Sequence, residues 1–171
     1  LGVQRFANPL TEDEERKIFQ IIEDKPRDSA LFAILIGTGA RVEQVVSLDA
    51  NHVTRVGDNA IVAFDRPSKK TQTTVITGAY AQRVLSYRER LEDGLPLFTK
   101  LYAGGRQSKD DRLTRQGAWL IIKSYSRSVD RPHLIPSDLK ATFITHRINE
   151  ADEIGALEAA KRWRRALRIY Y

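Results

Sequence analysis

The chain of 171 residues has no cysteine and no methionine, and 3 histidines. Without thiols there are no disulfides, no cysteine–zinc centres and no sulfur nucleophile, and the redox compartment stays open on this ground. His52, His133 and His146 show no metal-ligand spacing. Long apolar runs are also missing. The longest, residues 30–36, falls far short of the roughly 18 residues that cross a bilayer, so it reads as a buried helix and no membrane association is expected. The start, Leu1-Gly2-Val3-Gln4-Arg5, lacks a basic stretch followed by an apolar one, so no secretory leader is expected. A first residue other than Met suggests a piece of a longer protein. Gly37-x-Gly39 follows a helix rather than a strand, the wrong context for a nucleotide-phosphate loop. Paired carboxylates in an apolar setting are absent. Metal, nucleotide and hydrolytic-triad chemistry therefore find little support in these residues.

What is present is a basic chain, net charge +6, with 42% hydrophobic residues, enough for one domain around one core. Its charge is unevenly spread. Glu12-Asp13-Glu14-Glu15 lies near the start, whereas five of the eight residues from Lys161 to Arg168 are Lys or Arg. A basic end of this kind is either a solvated helix face or the footprint of a polyanion.

Periodicity outlines the fold. Residues 1–9 read as a linker ending at Asn8-Pro9, and the domain as 10–171. Thr11 with Glu14 three residues on forms a capping box for a helix whose apolar face is Ile18, Ile21 and Ile22. A nearly all-apolar helix over 27–38 follows Lys25-Pro26 and ends at Gly37-Thr38-Gly39, with a short helix from Val42 to Leu48. Val53–Val56 and Ala60–Phe64 around Gly57-Asp58-Asn59 predict a hairpin. A polar turn holding Lys69 and Lys70 then leads to a third strand at Thr73–Ile76. Helix resumes over 79–92 on Tyr80, Val84, Tyr87 and Leu91. The stretch from Tyr102 to Arg112 reads as a flexible loop. Thr114 caps a helix bearing Trp119, Ile122 and Tyr125, and Ser137 starts one with Leu139, Phe143 and Ile144 inward. Two further helices, split near Ala160, complete the chain. The expected class is mainly α with a small three-stranded antiparallel β-sheet, an α+β domain.

Cations placed at chain breaks are the remaining chemical signal: Arg41 after a helix-breaking glycine, Lys69 and Lys70 in a turn, Lys140 one turn into a helix, Lys161 and Arg162 opening the last one. Each has an innocent alternative as a cap or a solvated residue. Tyr170 and Tyr171 close the chain.

In order, these residues resemble the boxes of the tyrosine recombinases, the Xer and phage-type integrase family. Thr38-Gly39-Ala40-Arg41-Val42-Glu43-Gln44-Val45-Val46-Ser47-Leu48 is similar to the box around the first catalytic arginine. Arg112-Leu113-Thr114-Arg115-Gln116-Gly117-Ala118-Trp119 resembles the helix before the second box. Ile135-Pro136-Ser137-Asp138-Leu139-Lys140-Ala141-Thr142-Phe143-Ile144-Thr145-His146 resembles that box itself.

The resemblance implies a catalytic domain that follows a separate DNA-binding domain. It implies Arg41 as a phosphate clamp, Lys70 or its neighbour Lys69 as the hairpin general acid, and Tyr170, or Tyr171 in a shifted register, as nucleophile. Ser137 and Lys140 stand where the family carries His and Arg, Lys161 where it carries His or Trp, and Gln44 at an acidic position, with Glu43 displaced by one. Lys in place of Arg keeps the charge and loses the bidentate fork. Lys69, Arg115, Ser137, Arg162, Arg164 and Arg165 are implied DNA contacts. The resemblance further implies duplex DNA as partner, no cofactor and no metal, a cytoplasmic, nucleoid-associated setting, and a homo-tetramer on paired sites in the full-length protein, with this chain alone a monomer. The altered positions leave a rival open, a catalytically impaired recombinase-like DNA-binding protein. Type IB topoisomerases share the chemistry and give a third reading.

Overall fold

The computed structural model describes residues 7–66, 69–155, 158–159 and 161–162. The core is organised by helix α2, Pro26–Thr38, in which every residue from Arg27 to Ile36 is buried. Proline at the first helical position presets φ and gives up an N–H that the helix would leave unpaired anyway. The apolar character runs all round, so this helix is wrapped by others rather than laid on a surface. Helices α1 (Glu12–Ile21), α4 (Gly78–Arg88) and α6 (Pro136–Ile154) belong to the same domain, and α2 packs on the latter two. Its two buried charges answer each other. Arg27 pairs with Asp28 at 2.9 Å and donates to the Thr99 carbonyl at 3.1 Å, while Asp28 accepts from the Tyr125 hydroxyl.

The capping box of α1 forms as expected, with Glu14 N–H donating to Thr11 Oγ1 at 3.2 Å and Thr11 N–H to Glu14 Oε1 at 3.1 Å. Ile18 and Ile22 are buried, one turn apart; Ile21 is instead 39% exposed and Phe19 takes its place inward. The apolar stripe passes through 18, 19 and 22, and position 21 falls off it.

Strands β1 (Val53–Val56), β2 (Asn59–Arg66) and β3 (Lys69–Ile76) form an antiparallel sheet in that order. Gly57, at φ 60°, supplies the left-handed turn residue, and Val56 pairs with Asn59. The third strand begins earlier than the sequence suggests. Arg66 pairs with Lys69, so Lys69 and Lys70 are strand residues and not a turn. The register shifts there: Asp65 faces two residues, Lys70 and Thr71, a bulge that bends the strand end.

A second correction concerns residues 99–112, which are a paired ribbon and not a loop. Strand β4 (Thr99–Leu101) pairs with β5 (Gln107–Arg112) around Gly104 and Gly105, both at positive φ. Thr99 Oγ1 donates to the Ser108 carbonyl at 2.6 Å, and Lys100 pairs with Asp111 at 3.2 Å. The ribbon is held by polar contacts, so it lacks the apolar alternation that announces a strand. Helix α4 ends at Arg88, short of the expected 92, where the Arg88 guanidinium bonds the Leu91 and Val53 carbonyls. In α5 (Arg115–Ser124), Thr114 caps and Ile122 is buried, but Trp119 is 37% exposed. The 19-residue α6 turns Leu139 inward and leaves Ile144 47% exposed. Its N-cap is Ile135, with Ser137 exposed in the first turn. The helix ends at Gly155; the expected split at Ala160 lies outside the described residues. Among the described residues no helix is long and apolar enough to cross a membrane.

Candidate active site

Gly39, at φ 65°, closes α2 with its N–H on the Leu35 carbonyl at 3.0 Å. Thr38 Oγ1 donates to the Ile34 carbonyl at 2.7 Å and accepts from Ala40 N–H at 3.1 Å, which fixes the reversal. The chain therefore leaves α2 in one direction and delivers Arg41 to the N-cap of α3 (Val42–Val46). Arg41 N–H donates to Gln44 Oε1 at 3.0 Å. An arginine held at the start of a short helix, side chain exposed, is aimed by its backbone and not by burial.

A cavity of about 670 Å³ opens beside it, lined by Arg41, Glu43, Gln44, Gln72, Thr74 and Lys140 among others. Three elements distant in sequence thus meet: the α2–α3 junction, strand β3 and the first turns of α6. Phe143 of α6 abuts Gly39; a Cβ added there would come within 2.8 Å of the ring Cε1. That contact seats the helix bearing Lys140 against the junction bearing Arg41.

The start of α6 is held from the other side. Asp138, fully buried, accepts from Asn8 N–H at 2.9 Å and Ile135 N–H at 3.2 Å. Thr142 Oγ1 accepts from Leu10 N–H at 2.9 Å. Arg131 donates to the Asn8 carbonyl at 2.8 Å, the Pro9 carbonyl at 2.7 Å and Glu14 Oε1 at 2.9 Å, and also pairs with Glu14 Oε2. Its guanidinium holds the Glu14 carboxyl down at about 2, first through this hydrogen bond, with burial opposing. Asp138 and Thr142, which flank Lys140 in sequence, are thereby tied to the segment entering the domain.

Among the described residues the cavity carries two cations and one carboxylate, Glu43, which pairs with Arg115 at 3.3 Å. Arg115 is the first residue of α5, whose start is fixed by Gly117 N–H on Thr114 Oγ1 at 3.0 Å. Among these residues the charge left unmatched at the cavity is positive, which suits a bound anion. Preorganised cations of this kind stabilise negative charge that grows during a reaction.

The expected site residues divide. Arg41 and Lys140 line one cavity, and Arg115 reaches its rim through Glu43. Lys70 is exposed in the bulge of the neighbouring strand. Ser137 is exposed and does not line the cavity. Lys161 is engaged by Glu158 at 2.9 Å, and Arg162 reaches Glu150 at 3.4 Å; neither lines the cavity. The side chain of Lys69, together with Arg164, Arg165, Tyr170 and Tyr171, lies outside the described residues. Gln72 and Thr74 also line the cavity, brought there by a strand register that the sequence does not display.

The model of the phage integrase family matches residues 8–166. The tyrosine recombinase XerC of Roseiflexus castenholzii is 29% identical over 139 residues, 79% of this chain and 43% of that protein. The chain spans about half the length of the curated relatives it matches. Among solved structures, the XerA recombinase superposes with a TM-score of 0.70 at 18% identity, covering 85% of this chain and 52% of the other. The XerH site-specific recombinase, bound to a palindromic difH substrate in a post-cleavage complex, gives 0.63 at 15% identity, covering 81% and 41%. At these identities the likeness is one of fold.

Proposed function

The chain belongs to the phage integrase family, and from that membership we propose that it is the catalytic portion of a site-specific tyrosine recombinase that cuts and rejoins duplex DNA through a 3′-phosphotyrosine link. The observation that carries the proposal is the meeting of Arg41 and Lys140 at one cavity, from elements 99 positions apart in the chain. The solved Tn1549 transposon integrase in complex with a circular intermediate DNA supports DNA as partner.

In this reading Arg41 and Lys140 hold the non-bridging oxygens of one backbone phosphate. The Tyr170 phenolate attacks phosphorus, forming the phosphotyrosyl bond as the P–O bond to the 5′ side breaks, and Lys70 donates the proton that the departing 5′-oxygen takes up. The phosphodiester energy is retained for the reverse attack by a 5′-hydroxyl. Lys161 and the clustered Arg162, Arg164 and Arg165 contact the flanking backbone, and Arg115 changes partner from Glu43 to a phosphate. A DNA-binding domain preceding residue 10 completes the clamp, and four protomers act on paired sites, while the chain alone is a monomer.

The test is a nicked suicide duplex built on sites selected from a random-sequence pool. The expected result is a covalent protein–DNA adduct that disappears in Tyr170→Phe and in Arg41→Ala. A second reading, a recombinase-like DNA-binding protein without cleavage, draws on Ser137 and Lys161 not lining the cavity. Sequence-selective binding with no adduct at any site would establish it instead.

A further inference from the structure

The inner face of the small sheet changes character where it meets the cavity. Residues paired across strands share a face, so Ala60 with Ile76, Val62 with Thr74 and Phe64 with Gln72 form one side. Ala60, Val62, Phe64 and Ile76 on that side are all buried. Alternation on a half-buried strand calls for apolar residues at each such position. Strand β3 obeys this at Ile76 and breaks it at Thr74 and Gln72, the two positions that line the cavity with Arg41 and Lys140. Thr74 is half-buried, and its hydroxyl has no side-chain hydrogen bond among the described residues. Gln72 is exposed, so a half-buried hydroxyl and an exposed amide border the open cavity beside two cations, an arrangement that suits a ligand rich in acceptor oxygens. At the half-buried position 74 an apolar side chain would have served the core better.

Resting on the recombinase reading above, we propose that Thr74 and Gln72 form a third wall of the phosphate site, each donating a hydrogen bond to a phosphate oxygen bound by Arg41 and Lys140. The wall adds neutral donors to the two cations that line the cavity among the described residues. Ser137 does not line the cavity, and Lys140 offers single ammonium donors where a guanidinium would offer a fork. The Glu43 carboxylate, the one acidic side chain on the cavity among the described residues, is drawn to Arg115 at 3.3 Å and so leaves the β3 side to the anion. Thr74 and Gln72 are accordingly contact residues for the substrate phosphate, and their donors act from a strand rather than from the α6 turn.

The experiment titrates the chain with inorganic phosphate at constant ionic strength, chloride serving as the control, and follows amide and side-chain signals by NMR. Saturable shifts confined to the cavity are expected for phosphate and not for chloride. Thr74→Val and Gln72→Ala should each weaken phosphate about fivefold, the loss of one hydrogen bond to a charged group at a partly solvated site. Thr74→Ser, which keeps the hydroxyl, should bind like the parent. Spectra of the free variants confirm that each is folded. If Arg41→Ala weakens phosphate but Thr74→Val and Gln72→Ala do not, the third wall is wrong and the cation site stands. If phosphate leaves the cavity signals unmoved, the inference fails, while the adduct experiment separately decides the recombinase reading.

Discussion

Gly39 and Phe143 touch so closely that no side chain fits between them: a Cβ on Gly39 would lie 2.8 Å from the ring Cε1, at a backbone φ of 65°. Two independent demands, left-handed backbone and absent volume, therefore fall on one glycine at the joint between the Arg41 and Lys140 elements. Gly39→Ala should destabilise the domain by about 2–4 kcal/mol, combining αL strain with overpacking. It should also weaken duplex DNA binding, because the two cations lose their common seat. Phe143→Leu in the Gly39→Ala background should recover part of the stability by relieving the steric share alone. Denaturant midpoints for the three variants check this, and an unchanged midpoint in Gly39→Ala contradicts it.

That joint also shows what sequence can and cannot reveal. Gly39 was legible as a helix breaker and Arg41 as a cation placed after it, since both facts are local. The uniformly apolar α2 and the capping box at Thr11 were equally plain. Which helix face packs against Gly39 depends on three-dimensional arrangement, and so Ile144, expected inward, is exposed while Phe143 fills the joint. The β4–β5 ribbon stayed hidden for another reason: hydrogen bonds among Thr99, Gln107 and Ser108 hold it, and such residues are also those of loops. Gln72 and Thr74 were invisible as cavity residues because the pairing that aligns them with Phe64 and Val62 is non-local.

Lys140 lines the cavity, and in the proposed function it takes the phosphate-clamping place for which the sequence resemblance implies an arginine. An ammonium neutralises charge but cannot grip two oxygens at once. Lys140→Arg should raise single-turnover adduct formation about tenfold with little change in duplex affinity, since a contact that tightens in the transition state changes rate more than binding. Lys140→Ala should lower both. A rate for Lys140→Arg at or below that of the parent means that the cavity is shaped around the ammonium.

Arg131, whose side chain is 9% exposed, joins Glu14 to the carbonyls of Asn8 and Pro9 and to the start of α6. Its removal leaves the Glu14 carboxylate and the nearby buried Asp138 without their guanidinium. Arg131→Leu should cost about 2–3 kcal/mol, allowing for the partial exposure of Glu14. The sign of the acid response follows from the depressed Glu14 carboxyl. Its stabilisation is complete above the ordinary value of 4.5 and is lost as pH falls towards about 2. The parent should lose stability over that range more steeply than Arg131→Leu, as measured by urea unfolding at a series of pH values.

His146 couples α6 to α1 through Glu15, its Nε2 lying 2.9 Å from Glu15 Oε2. The hydrogen bond to Glu15 raises the imidazole above its ordinary 6.5, with burial opposing and Arg147 nearby working against the charge. Tyr80 stacks edge-on at 6.4 Å, and Glu150 and Arg147 line the adjoining groove. A raised histidine stabilises the fold in its charged form, so the contribution is complete below about 6.5 and fades as pH climbs through the folded-state value. The ring is 43% exposed, which keeps the effect under about 1 kcal/mol. His146→Gln should flatten the stability profile between neutral and mildly alkaline pH while leaving phosphate binding at the Arg41 cavity intact, since His146 does not line it. The direct check is an NMR titration of the imidazole in the parent and in Glu15→Gln. The midpoint should drop on losing the carboxylate, and a midpoint indifferent to Glu15 would mean that the pairing does not hold α6 to α1 in solution.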